Sequence, residues 1–297
     1  MILVPSTFRA MPRWWRDGTG WLDALPQLVA DQCARWHLTV TGEPAHGSNA
    51  LVVPVTRGDD RFVLRLTPPA PDVADQVAAL RFWDGRGTVQ LIQADLRAGI
   101  MLLERLGTAG VAPAGSLERV PSGEAVAVLG WMMRRLAIPA PPQVPSTAGV
   151  VARRVAALPE EWRRLGRPFG ADLLDQAIAA GRRLVRIDSD LAVDADLHSG
   201  QVLRATREPW LAVDPVLLRG DIAYDLARVL WTRVDDMPDA DAIRDHLDIA
   251  VAAAEVTAAH GRDAILFRTV DYWLWGLAAG LTEDPARCRR LVDAVTL

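Results

Sequence analysis

The order in which strand-like and helix-like segments follow one another most constrains how this chain can fold. Apolar residues at helical spacing (Leu22, Leu25, Leu28 and Val29) predict a helix over residues 21–36. Three β-rich runs follow at 38–41, 50–56 and 61–67. The last two flank Arg57-Gly58-Asp59-Asp60, which reads as a hairpin turn. Pro68, Pro69 and Pro71 stop the third run, and Asp72 is placed to cap a helix ending near Trp83. Asp84-Gly85-Arg86-Gly87 closes that helix, and two further strands are expected at 88–93 and 100–104. A Gly- and Ala-rich connector at 107–115 then separates residues 1–106 from 107–297.

Beyond the connector the pattern is mostly helical, with helices predicted at 124–136, 147–157, 171–187, 221–231, 241–260, 263–281 and 285–295. The Pro-rich link at 138–145 reads as an extended loop. One polar stretch interrupts the helices, at 194–214, and carries short strand-like runs at 202–204 and 210–213. A small β-rich lobe followed by a larger helical lobe is the α+β outline of a two-lobed kinase. Other folds share that outline, so the motifs must decide.

Composition removes several chemistries. All 33 basic residues are Arg, and Asn49 is the sole asparagine. A Schiff-base lysine, a lysine general base and a P-loop lysine are therefore excluded. A net charge of −4 argues against nucleic-acid binding by phosphate neutralisation and is compatible with a cationic small-molecule substrate. Cys33 and Cys288 fit no metal spacing and read as buried thiols in a reducing cytoplasm. No apolar run suits a signal peptide or a membrane span, so a cytoplasmic protein without membrane association is expected. The oligomeric state is open at this level.

The polar stretch begins Asp194-Ala195-Asp196-Leu197-His198-Ser199-Gly200-Gln201-Val202-Leu203, and Val213-Asp214-Pro215 follows. Two carboxylates with an amide side chain between them suit phosphoryl transfer. One group accepts the proton of the attacking hydroxyl, and oxygen donors from an amide and a second carboxylate hold Mg²⁺. Downstream lie Arg207-Glu208-Pro209-Trp210-Leu211-Ala212-Val213-Asp214-Pro215 and Gly220-Asp221-Ile222-Ala223-Tyr224-Asp225-Leu226-Ala227-Arg228-Val229-Leu230-Trp231. Together these runs resemble the aminoglycoside phosphotransferase superfamily, in its branch of streptomycin 6-phosphotransferases and hydroxyurea phosphotransferases. The resemblance extends through Leu80-Arg81-Phe82-Trp83-Asp84-Gly85, Leu102-Leu103-Glu104-Arg105-Leu106 and Asp271-Tyr272-Trp273-Leu274-Trp275.

The resemblance implies a protein-kinase-like fold that uses ATP and Mg²⁺. It implies Asp196 as catalytic base, with His198 supporting its loop, and Asp214 and Gln201 as metal ligands. Leu103 and Glu104 would lie in the hinge beside adenine, and Gly42, Gly47, Ser48 and Asn49 in the loop over the phosphates. Glycines there permit close backbone approach to an anion. Asp225, Asp271 and Trp273 would face the acceptor.

Three positions depart from the family pattern. Arg65 stands for the Lys that contacts the α/β-phosphates, Gln76 for the Glu that holds it, and Gln201 for the metal-binding Asn. Asp194-Ala195 also replaces His-Gly before the base. Arg65 keeps a permanent charge and a fork for phosphate, and the Gln76 amide oxygen can accept a hydrogen bond from it. Gln201 keeps a carbonyl oxygen one methylene further out. Two readings follow. The first is an ATP-dependent O-phosphotransferase for a small hydroxylated antibiotic or related metabolite. The alternative is a catalytically impaired, pseudokinase-like binding or scaffold protein with a degenerate ATP site.

Overall fold

A computed structural model describes residues 2–11, 14, 19–107 and 115–296. The chain divides into two compact units, Met1–Pro113 and Ala114–Leu297. That division falls within the 107–115 connector, whose residues 108–114 lie outside the described residues.

The first unit is built on an antiparallel sheet of six strands: β1 (Thr39–Val40), β2 (Ala45–His46), β3 (Leu51–Arg57), β4 (Asp60–Leu66), β5 (Leu91–Asp95) and β6 (Ile100–Glu104). The order is β1-β3-β4-β6-β5, and β2 also pairs with β3. Gly58 adopts φ 60° at the β3–β4 turn, where Arg57 faces Asp60, so glycine makes the two-residue hairpin possible. Side chains alternate across a strand, so Leu51, Val53 and Val55 of β3 share one face with Leu64 and Leu66 of β4. That face packs on Leu22, Leu25, Val29 and Trp36 of helix α2 (Gly20–Trp36), with Phe8 from the short helix α1 (Ser6–Arg9). Helix α3 (Pro71–Trp83) starts at Pro71 with Ala70 as its N-cap, and Asp72 makes no cap. Proline at the first turn lacks an N–H that would have no helical partner, which replaces the expected carboxylate signal.

The second unit is helical: α4 (Ser122–Leu136), α5 (Thr147–Arg164), α6 (Ala171–Leu184), α7 (Leu226–Trp231), α8 (Ala240–Ala254), α9 (Ala258–Ala278) and α10 (Glu283–Thr296). Glycines set close helix approach. A Cβ on Gly130 of α4 would sit 2.7 Å from the Ala253 Cβ of α8. The expected break at 260–263 lies earlier, because Glu255 caps α8 in the left-handed region (φ 55°) and the Thr257 side chain caps α9. Helix α5 runs past its expected end at 157, with Pro159 inside it. Arg154 ties that extension back by pairing with Glu161. Two short antiparallel ribbons carry the polar stretch: β7 (Ala192–Asp194) with β10 (Leu217–Arg219), and β8 (Val202–Arg204) with β9 (Trp210–Ala212). No helix among the described residues is long and apolar enough to cross a membrane.

Candidate active site

The segment joining β7 to β8 is fixed by its own hydrogen bonds. The Leu197 N–H donates to the Asp194 carbonyl at 3.2 Å, and the Ala195 N–H to the Val216 carbonyl at 2.9 Å. His198 Nδ1 accepts from the Gly200 N–H at 3.1 Å and caps a 3₁₀ turn over Ser199–Gln201. Burial and the nearby Arg228 charge push the His198 imidazole down to about 4, so it is neutral at pH 7 and its acceptor role is stable. Leu197 is fully buried beneath the loop. The β8–β9 pair then sets the Gln201 backbone beside Val213, whose N–H donates to the Gln201 carbonyl at 2.9 Å. Gln201 is thereby set across the ribbon from Val213, the residue before Asp214, although Gln201 and Asp214 are thirteen positions apart in sequence.

Asp196 is held at both oxygens. Gln201 Nε2 donates to Oδ2 at 2.9 Å. Arg228 Nε lies 2.7 Å from Oδ1 as an ion pair, without the alignment of a hydrogen bond. Gln201 Oε1 is buried and has no protein hydrogen-bond partner. Burying an amide oxygen without a partner costs on the order of 1–3 kcal/mol, so this atom is suited to an electropositive ligand. No group of three or more His, Cys, Asp or Glu among the described residues is placed to hold a metal. Mg²⁺ commonly takes one or two protein oxygens and completes its shell with phosphate and water. Gln201 Oε1 and the Asp214 carboxylate fit that requirement.

The surroundings are rich in buried acid. Asp194 Oδ1 accepts from the N–H groups of Val216 (2.9 Å) and Asp196 (3.3 Å), whereas Oδ2 has no hydrogen-bond partner. Burial pushes its carboxyl up to about 7. Asp225 lies in the 3₁₀ turn Ile222–Asp225 and is 1% exposed. Burial first, then the Asp194 charge, hold it well above the usual carboxylate range. Arg228 and Arg268 supply the opposing charge.

In the first unit, Gly42, Gly47, Ser48 and Asn49 do not form one continuous loop. The unforeseen strand β2 divides them, and the Gly47 N–H closes a turn onto the Ala50 carbonyl at 3.0 Å. A Cβ on Gly47 would meet nothing within 4 Å, which leaves that turn open to an approaching ligand. Arg65 is buried on β4, opposite Val52 and Met101. Gln76 is half-buried on α3, and no hydrogen bond joins it to Arg65 among the described residues. Leu103 is buried on β6, and Glu104 Oε2 accepts from the Gln90 N–H at 3.3 Å.

Asp225, Asp271 and Trp273, expected to face the acceptor, are each buried or engaged by other protein groups. Asp225 is too buried for a solvent-borne substrate. Asp271 Oδ1 is bound by Arg154 Nε at 2.7 Å, and the same guanidinium forks onto Glu161. Trp273 packs in the core beside Phe169, because positions 273 and 275 point to different sides of α9. Trp275 on the same helix is 51% exposed. Sequence reasoning gave Arg228 and Trp231 no individual role. Their signal was their place in the Asp221–Trp231 run, three residues apart on one helical face.

A family model described as aminoglycoside/hydroxyurea antibiotic resistance kinase matches residues 35–280. The chain is 34% identical over 278 residues to a streptomycin 6-kinase of Streptomyces glaucescens, covering 91% of this chain and 89% of that protein. It is also 34% identical over 271 residues to a hydroxyurea phosphotransferase of Kitasatospora aureofaciens, covering 91% and 78%. Among solved structures, a choline kinase from Streptococcus pneumoniae superposes with a TM-score of 0.62 at 12% identity, over 92% of this chain and 99% of that one. An aminoglycoside phosphotransferase in complex with ADP and hygromycin B gives 0.59 at 15% identity, over 89% and 97%. At such identities these two establish the fold, a small sheet-bearing N-lobe and a helical C-lobe.

Proposed function

The chain belongs to the aminoglycoside/hydroxyurea antibiotic resistance kinase family, and from that premise we propose that it transfers the γ-phosphoryl group of ATP to a hydroxyl of a small antibiotic or related metabolite. The observation that carries the reading is the Gln201 amide, which donates to Asp196 and keeps its carbonyl oxygen unpartnered. One side chain thus addresses both the base and a metal position.

Asp196 orients the acceptor hydroxyl and takes its proton as the hydroxyl oxygen bonds to the γ-phosphorus and the bond to ADP breaks. Gln201 and Asp214 hold Mg²⁺, which when bound offsets the phosphate charge. Arg65 brings a permanent cation to the phosphates, and Gly47, Ser48 and Asn49 offer backbone N–H groups. Leu103 and Glu104 supply the adenine edge. His198 shapes the loop and moves no proton. Acceptor contact passes from the buried Trp273 to Tyr272 and Trp275 on α9. The impaired-scaffold alternative draws no support from relatives named as a kinase and a phosphotransferase that match over nine-tenths of this chain.

ADP release with streptomycin, other aminoglycosides and hydroxyurea tests the reading. Asp196→Ala abolishes release, while the ATP-dependent rise in Tm persists. A wild type inert toward all these acceptors counts against it.

A further inference from the structure

Arg228 is a cation with two attachments. Its Nε lies 2.7 Å from Asp196 Oδ1, and its side chain is 20% exposed. Its guanidinium carbon sits 4.6 Å from the centroid of the Trp231 ring. The Trp231 and Tyr272 rings are in turn 3.7 Å apart, and the Tyr272 hydroxyl donates to Asp284 Oδ2 at 3.3 Å. The guanidinium plane is therefore supported on an aromatic wall anchored in α9 and α10. An ammonium on a flexible stem has no flat face to hold this way.

The two oxygens of Asp196 are held differently. Oδ2 receives an aligned N–H from Gln201. Oδ1 faces the Arg228 charge without receiving an aligned hydrogen. A carboxylate oxygen has two lone-pair directions, so Oδ1 keeps one for an incoming proton. Its neighbours make the cation more valuable. Asp194 and Asp225 are both buried, and the Arg228 charge pulls the Asp225 carboxyl down against the rise that burial causes.

Building on the phosphotransfer reading, we propose that Asp196 Oδ1 is the oxygen that accepts the acceptor's hydroxyl proton, and that Arg228, clamped by Trp231, is the positioning residue that fixes the carboxylate's rotation for that transfer. The proton moves from the hydroxyl to Oδ1 as its oxygen attacks phosphorus, and Arg228 changes neither charge nor bonding.

The test compares wild type, Arg228→Ala and Arg228→Lys in steady-state ADP release with streptomycin and with hydroxyurea, with and without millimolar methylguanidine. In Arg228→Ala, kcat falls about 100-fold, the scale of a general-base contribution, and KM for both substrates stays within about threefold. Methylguanidine fills the space the missing guanidinium leaves against the buried Trp231 ring and restores about tenfold of the lost rate. It has no effect on wild type or Asp196→Ala. A merely structural arginine would show a lowered Tm and no rescue, which overturns the proposal, as does a wild-type kcat in Arg228→Ala. If Arg228→Ala does not fold, Arg228→Lys decides. A kcat reduced about tenfold at unchanged Tm supports the proposal, and a wild-type kcat overturns it. An inactive wild type overturns the phosphotransfer reading and this inference together. An active wild type with unaffected Arg228 variants overturns only the inference.

Discussion

Gln201 Nε2 donates to Asp196 Oδ2 at 2.9 Å, while Gln201 Oε1, on the same amide group, is buried without a protein partner. An asparagine here would hold its amide one methylene closer to the backbone.

Gln201→Ala removes both contacts. We expect kcat to fall at least 100-fold and the Mg²⁺ concentration for half-maximal rate to rise about tenfold. Gln201→Asn shortens the reach and lowers kcat about tenfold. An Mg²⁺ titration of ADP release checks both, and wild-type behaviour in Gln201→Ala removes the amide from the site.

Asp194 carries a pH prediction. Its folded-state carboxyl is raised from 3.8 to about 7, with burial as the main cause. The folded protein thus retains a proton that the unfolded chain has already released. Stability from this source is complete below pH about 4 and is lost as pH rises to about 7. Asp194→Asn removes that loss and should be more stable than wild type by roughly 2–4 kcal/mol at pH 8, and equal to it at pH 4. Urea melts across this range measure it, and parallel curves would exclude Asp194 as the titrating group.

Arg154 joins Glu161 to Asp271, whose side chains are 25% and 13% exposed. Arg154→Ala leaves two half-buried carboxylates unpaired and should cost about 2–3 kcal/mol, seen as a lower urea midpoint at constant m-value. Asp271→Asn keeps one acceptor oxygen and should cost under half as much.

Gly220 adopts φ 143°, and a Cβ there would lie 2.2 Å from Thr147 Oγ1. Gly220→Ala should therefore lose on the order of 2–3 kcal/mol. Gly220→Ala/Thr147→Ala removes the clashing oxygen but also the acceptor of the Asp221 N–H (3.1 Å), so it should recover little. Full recovery in the double variant would make the clash, and not the backbone angle, the cause.

The two-lobe order and the 194–214 stretch were readable because strand and helix periods differ over long windows and the motif residues are contiguous. β7 and β10 escaped, because three residues carry no period; β8 and β9 are as short and were marked only by lying inside the polar motif stretch. Extension of α5 past Pro159 depends on Arg154 pairing with Glu161 and Asp271, partners that spacing alone does not reveal. Burial decided the acceptor residues. Asp225 and Trp273 look like surface chemistry in one dimension and are enclosed in three. The Asp196–Arg228 contact spans thirty-two positions and joins a loop to a helix, a pairing that emerges only when α7 packs.

The β8–β9 ribbon has a consequence for how such a site can drift. Strand pairing, through Val202 opposite Ala212 and the Val213 N–H on the Gln201 carbonyl, assigns Gln201 and Asp214 their addresses. The bidentate Arg135–Glu208 clamp, both contacts at 3.0 Å, pins the far end of the same ribbon to α4. Main-chain bonds do not depend on which side chain they carry. An asparagine can thus give way to glutamine while the address stays put, and the occupant alone, not the scaffold, has to be re-tuned.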